Sequence, residues 1–159
     1  MKDNKTNAMR ALDKAGISYE PMTYEVDESD LSGTHIAEEI GLPAEQVFKT
    51  LVARGDKRGP SVFCIPAGAE LNLKAAAKLT GDKKIELVPV KELLGLTGYI
   101  RGGCSPIGMK KHFPTYIDET CLCFDKITIS SGTRGIQLLL RPDELISFVD
   151  AQTAALTLG

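Results

Sequence analysis

Ile127-Thr128-Ile129-Ser130-Ser131-Gly132-Thr133-Arg134-Gly135-Ile136-Gln137-Leu138-Leu139-Leu140 decides the fold. Two runs of aliphatic and β-branched residues, 127–131 and 136–140, flank a segment with glycine at both ends. Glycine reaches the left-handed backbone that a tight reversal needs, so the segment reads as an antiparallel hairpin. A second pair of strands lies upstream at 48–53 and 61–65, with Gly55 and Gly59-Pro60 in the turn. Working outward, the pattern predicts a helix over 4–15, with Ala8, Met9, Leu12 and Ala15 at helical spacing and Gly16 closing it. Residues 17–24 read as a strand that Pro21 confines to a sheet edge, and 25–30 as an acidic loop. Thr34 is placed to cap a short helix carrying Ile36, Ala37 and Ile40, which Gly41 ends, and Pro43 to start a further turn. Asn72 caps a helix over 73–79 that Gly81 stops. Residues 85–88 read as a strand, 89–94 as a helix, and Pro142 opens a last helix to about residue 150. Residues 98–118 are rich in Gly and Pro and carry little periodicity. Short hairpin strands mixed with short helices, without regular strand–helix–strand alternation, give an α+β fold. No repeat or linker divides the chain, so residues 1–159 are expected to form one domain.

The composition narrows the function classes. With 19 basic and 21 acidic residues the net charge is −2, and 43% of residues are hydrophobic. That suits a soluble globular domain and excludes a collagen, a coiled coil and a disordered chain. No apolar run approaches the ~18 residues of a membrane helix. The first residues, Met1-Lys2-Asp3-Asn4-Lys5-Thr6-Asn7, hold no apolar signal region, so a cytoplasmic protein with reduced cysteines is expected. Charge is uneven: residues 46–112 hold twelve basic and five acidic groups, net +7, inside an acidic chain. Such a stretch is either a solvated face or a surface that attracts phosphates.

The most unusual segment is Gly98-Tyr99-Ile100-Arg101-Gly102-Gly103-Cys104-Ser105-Pro106-Ile107-Gly108-Met109-Lys110-Lys111. Adjacent glycines let a backbone approach a ligand, and their N–H groups can hold an oxyanion or phosphate. A nucleotide-binding P-loop is excluded, because Met109 stands where the lysine belongs and Pro106 interrupts the loop. A tight surface turn is the other reading. In Phe48-Lys49-Thr50-Leu51-Val52, alternation puts Phe48, Thr50 and Val52 on one face and Lys49 with Leu51 on the other. A lysine beside an apolar neighbour either snorkels at an edge or has an anionic partner or task. The hydroxyls of Ser130, Ser131 and Thr133 suit a polar ligand or an ordinary hairpin. Metal is not expected. Cys64, Cys104, Cys121 and Cys123 form no CxxC pair, and His35 and His112 have no partner spacing. Cys104 beside the glycines is a conceivable nucleophile, but nothing fixes a histidine next to it.

Six segments together resemble the YbaK/EbsC family of Cys-tRNA(Pro) deacylases, which is similar to the editing domain of bacterial prolyl-tRNA synthetases. They are Phe48-Lys49-Thr50-Leu51, Leu73-Lys74-Ala75-Ala76-Ala77-Lys78, Gly81-Asp82-Lys83-Lys84, Thr97-Gly98-Tyr99, the glycine segment 102–111, and Ser130-Ser131-Gly132-Thr133-Arg134-Gly135. They follow family order across about residues 5–150. The resemblance implies a compact α+β domain with a mixed, strongly curved, barrel-like sheet flanked by helices. It implies release of a wrong amino acid from the 3′ end of proline tRNA, in trans, with no cofactor. Lys49 matches the essential lysine, and Gly102 and Gly103 the loop whose N–H groups approach the aminoacyl carbonyl. Tyr24, Thr50, Ser130 and Arg134 are the implied substrate contacts, and Lys74, Lys78, Lys110 and Lys111 an implied tRNA surface. The implied partners are aminoacylated proline tRNA and prolyl-tRNA synthetase, with no membrane. Ile136 and Gln137 stand where relatives often have an acidic residue, and no aromatic lies near Leu31. A deacylase for alanine, using water, and a silent module that binds tRNA ends are the competing readings.

Overall fold

A computed structural model describes residues 5–158. In chain order the elements are α1 (Asn7–Ala15), β1 (Tyr19–Thr23), α2 (Gly33–Ile40), β2 (Phe48–Gly55), β3 (Gly59–Pro66), α3 (Leu73–Thr80), β4 (Ile85–Leu87), α4 (Val90–Thr97), β5 (Thr115–Asp118), β6 (Ile127–Ser130), β7 (Ile136–Leu140), α5 (Pro142–Val149) and β8 (Gln152–Ala154). Single 3₁₀ turns cover Ala44–Gln46 and Glu119–Cys123. Residue 4 of the predicted first helix lies outside the described residues. The helix is capped by Thr6, whose hydroxyl accepts from Met9 N at 3.2 Å, and closed by Gly16 at φ +73°. In α2 the cap is Ser32 rather than Thr34: its Oγ accepts from His35 N at 3.3 Å.

The strands form two sheets. One has the order β1-β7-β6, all antiparallel. The other has the order β4-β2-β3-β5-β8 and is mixed, since β5 lies parallel to β3 and to β8. The expected barrel-like sheet is therefore corrected to two open sheets. The physical reason lies where they meet. β2 and β6 touch through one parallel bridge, Val47 to Thr128, and no further pair joins the two sheets among the described residues. Beyond it no ladder continues between them, and residues of both strands line a cavity.

The hydrophobic alternation along β2 and β3 serves two cores. Phe48, Val52, Val62 and Cys64 face one, shared with Leu12 of α1, Ile129, Leu138 and Leu145. Ala53, Phe63 and Ile65 face the other, with Ala76 of α3, Ile85 and Leu156. There Phe63 stacks on Tyr116 with centroids 5.3 Å apart. A sheet buried on both faces explains the near-continuous apolar run of β3. The sequence pattern does not predict β5 and β8: four and three residues cannot display a period, and all four residues of β5 are buried. Cys121 and Cys123 lie on the second 3₁₀ turn, one buried and one exposed.

Candidate active site

The site begins at an incomplete edge of β2. β3 covers the whole of the other edge, Phe48 opposite Pro66 through Gly55 opposite Gly59. Ala67 N–H donates to Val47 O at 2.7 Å, so residues of that parity, including Lys49 and Leu51, direct their backbone groups at β3. Phe48, Thr50 and Val52 direct theirs the other way, and Val52 O accepts from Val88 N–H at 2.9 Å. Pro66 opposite Phe48 and Pro60 opposite Arg54 fall where β3 has no N–H to offer β2, which is why a central strand tolerates them. β4 pairs only with Ala53–Gly55. Thr50 thus presents its N–H and C=O to a gap that no strand fills.

That gap is the cavity, of about 430 Å³. Phe48 to Val52 form its base, the start of α2 (Ser32, Gly33, Ile36) one wall, and Leu87, Val88, Val90 and Leu93 another. Leu31, Arg101, Gly102, Cys104, Ser130 and Gln137 also line it. Lys49 is half-buried in this lining, and burial pushes its ammonium below the usual value, with Glu70 opposing the shift. No carboxylate among the described residues lies within ion-pairing distance of its Nζ. An unpaired, partly desolvated cation is costly to keep without an anionic ligand. Ser130 turns its Oγ to accept from Gly132 N–H at 3.1 Å, leaving the hydroxyl proton to donate.

The glycine segment is fastened to the β6–β7 turn. Arg134 Nε donates to Arg101 O at 2.9 Å, the Tyr99 hydroxyl donates to Ile107 O, and the Tyr99 ring covers Gly132. A Cβ on Gly103 would press within 3.3 Å of the Thr133 and Arg134 backbone. Gly102 has φ +87°, a conformation costly for residues with a side chain. The two glycines therefore play different parts. Gly102 lines the cavity, whereas Gly103 spends its N–H on Ile100 O at 3.0 Å and serves close packing. Gly102→Ala should keep the fold and lower turnover by about tenfold, from the ~1–2 kcal/mol cost of positive φ at the loop. Steady-state rates beside a melting curve check this.

Of the other predicted residues, Thr50 and Ser130 line the cavity and Tyr24 and Arg134 do not. Tyr24 packs on Ile36, Ala37, Val47 and Ala67, and Arg134 holds the loop as described. Lys74 and Lys78 flank a separate groove with Leu158. Lys110 and Lys111 are placed beyond the loop, Lys110 reaching Gly95 O at 3.4 Å. Cys104 is buried in the lining and its thiol is pushed up to about 12 by burial, so it stays protonated at neutral pH and is no nucleophile. No cluster of three metal-binding side chains occurs among the described residues. Of Ile136 and Gln137, which stand where relatives often have an acidic residue, Gln137 is the one that lines the cavity. In the hairpin register Gln137 falls directly opposite Ser130.

The chain resembles known proteins over nearly its full length. Residues 32–148 match the family described as Aminoacyl-tRNA editing domain. EbsC of Enterococcus faecalis, a proposed Cys-tRNA(Pro)/Cys-tRNA(Cys) deacylase, is 45% identical over 153 residues, 96% of this chain and 93% of that one. The uncharacterized protein YwhH of Bacillus subtilis is 30% identical over 126 residues, 78% of each chain. The crystal structure of a proposed trans-editing enzyme for prolyl-tRNA synthetase superposes with a TM-score of 0.80 at 28% identity, covering 94% of both chains. With its cavity, its unpaired lysine and its glycine loop, this chain belongs to the aminoacyl-tRNA editing domain family.

Proposed function

We propose that this protein is a trans-editing hydrolase that removes cysteine from Cys-tRNA(Pro). The observation that carries the reading is Lys49, a half-buried ammonium without an anionic partner on the cavity edge of β2. A tRNA 3′ end brings phosphate and ester oxygens to such a charge. Among the described residues the cavity is lined by no histidine, and burial pushes the thiol of its one cysteine up to about 12. This reading, which follows the family resemblance, takes the attacking group from the substrate. The cysteine thiol loses its proton to solvent and its sulfur bonds to the ester carbonyl carbon. The bond from that carbon to the ribose oxygen breaks, and the oxygen leaves protonated as the tRNA hydroxyl. The released thiolactone then takes up water to give cysteine. Proximity of thiol and ester is worth about 7 kcal/mol or more when the geometry is fixed, enough to dispense with a protein nucleophile. Gly102 N–H and the Ser130 hydroxyl are the donors nearest to hand for the developing oxyanion.

Residues 1–159 act as one editing domain in this reading, in the cytoplasm, with prolyl-tRNA synthetase supplying affinity and choice of tRNA. No helix among the described residues is long and apolar enough to cross a membrane. Lys74, Lys78, Lys110 and Lys111 meet the acceptor-stem phosphates, and each should contribute a salt-dependent increment. The experiment is release of labelled amino acid from Cys-, Ala- and Pro-charged proline tRNA. Fast release of cysteine alone is expected. Equal release of alanine would replace the thiol mechanism with attack by water in the same cavity. No release, with the synthetase present, would leave a binding module.

A further inference from the structure

The rim of the cavity carries a guanidinium that the deacylase reading leaves unassigned. Arg101 lines the cavity and is exposed. Among the described residues no hydrogen bond, ion pair or ring contact holds its side chain. Its backbone, by contrast, is fixed. Gly103 N–H donates to Ile100 O at 3.0 Å, so Arg101 and Gly102 are the two corners of a turn, and φ +87° at Gly102 gives that turn its type II form. Arg101 O accepts from Arg134 Nε at 2.9 Å. A trans peptide sets its C=O and N–H on opposite sides, so the same bond aims Gly102 N–H away from Arg134. The long side chain of Arg101 thus leaves a rigid corner beside that N–H. A Cβ on Gly102 would sit 3.6 Å from Leu31 Cδ2, so the acidic loop that ends at Leu31 borders the same rim. Two of its carboxylates are engaged within the loop: Asp30 accepts from Ser32 N–H at 3.1 Å and Asp27 from Ser29 N–H at 3.0 Å. A cation left unpaired beside carboxylates is available to a ligand. An aminoacyl ester has lost the carboxylate charge of its amino acid, and its amino group is a cation. The only anions such a ligand brings are phosphodiesters, and the nearest lies on the 5′ side of the terminal ribose. Lys49 is half-buried on the cavity base and Arg101 exposed on the rim, the order in which an ester and the phosphate one ribose behind it enter.

We propose that Arg101 is a phosphate-binding residue that grips the phosphodiester on the 5′ side of the terminal adenosine. Its planar guanidinium offers two parallel N–H groups to two phosphate oxygens, where a lysine offers one point charge. The assignment rests on the deacylase reading for the ligand's identity.

The test uses the full chain and a pair of analogues. One is cysteine joined by an amide to 3′-amino-3′-deoxyadenosine, which has no ester to lose. The other is the same compound with a methyl phosphodiester on its 5′ oxygen. Calorimetric Kd values should show the wild type preferring the phosphodiester by about tenfold to a hundredfold, and Arg101→Gln binding the two alike. Arg101→Lys keeps the charge without the fork and should retain only part of the preference, which covers the case of a first variant that fails to fold. On Cys-charged proline tRNA, the slope of log kcat/KM against log salt should flatten by about 0.7 in Arg101→Gln, the share of one phosphate on a single strand, and stay unchanged in Arg101→Lys. Equal binding of the two analogues by the wild type would overturn the proposal, as would a preference that survives in folded Arg101→Gln. Inorganic phosphate that binds as tightly as the phosphodiester analogue would make this a free-anion site and overturn the assignment to a nucleotide. A preference lost in Arg101→Gln, without release of cysteine from the charged tRNA by the wild type, would uphold the phosphate site and sink the deacylase reading instead.

Discussion

Lys49→Met is expected to lower deacylation of Cys-charged proline tRNA by about a hundredfold to a thousandfold, the usual cost of removing one electrostatic contact to a reacting group. It should do so without lowering the melting temperature. Burial holds the Lys49 ammonium below the 10.5 of a free lysine, and Glu70 recovers part of the shift. Between the depressed and the ordinary pKa the unfolded chain binds more protons than the folded one. Stability contributed at this position therefore rises with pH across that window, and at neutral pH the folded protein bears the whole desolvation cost. An uncharged side chain of similar length removes it. A variant that is dead but at least as stable as the wild type marks a residue kept for its task, and a variant that is both dead and unfolded would contradict that. The pH profile follows from the same shift. Release should rise with pH as the substrate thiol ionises, then fall as Lys49 loses its proton, and the fall should come below the ordinary lysine range. A rate that keeps rising past that range would show that the ammonium is not required.

Gly55→Ala should be the most destabilising single methyl in the molecule. Asp82 folds back under the β2–β3 turn, and its carboxylate accepts from Lys57 N–H at 2.8 Å, Arg58 N–H at 2.7 Å and the Thr80 hydroxyl at 2.6 Å. A Cβ on Gly55 would come within 1.9 Å of Asp82 Oδ2 and 2.1 Å of its Cγ. The carboxylate cannot retreat without giving up those bonds. The expected loss is about 3 kcal/mol, read as roughly 6–12 °C in Tm for a chain of this size. The Thr80 hydroxyl first, and then the two backbone N–H groups, hold the Asp82 carboxyl below the usual carboxylate range. Its contribution is thus present at neutral pH and is lost as pH falls through that depressed value. Thermal denaturation of Gly55→Ala beside wild type, at pH 7 and in acid, measures both. A Tm within about 2 °C of wild type at neutral pH is too small a shift for such a loss and would contradict the packing argument.

Much of this was legible in the sequence, for identifiable reasons. The hairpins were legible because Gly132, Gly135, Gly55 and Gly59 punctuate runs of clear alternation. The helices were legible because Gly16, Gly41 and Gly81 close them in left-handed caps. What stayed hidden depends on tertiary pairing. β5 lies between β3 and β8 with all four residues buried, so no polar face betrays it. That a single bridge at Val47 joins β2 to β6 is a matter of how two sheets meet, and no local pattern encodes it. Arg134 is an instructive case. A charged residue in a turn beside the site suggests a ligand contact, yet its Nε is committed to Arg101 O. Gly103 is another, since an N–H beside a free one is consumed by Ile100 O.

The central claim is that the substrate's own thiol does the attacking in a cavity that supplies charge and orientation. Replacing the sulfur by oxygen tests it most directly. Cysteinyl and seryl esters of the same proline tRNA differ in one atom and fit the same space. Release should be faster from the cysteinyl ester by roughly a hundredfold or more, because a thiol near neutral pH is a few per cent ionised and strongly nucleophilic while an alcohol is neither. Equal rates from the two esters would show that water attacks, and would contradict the account.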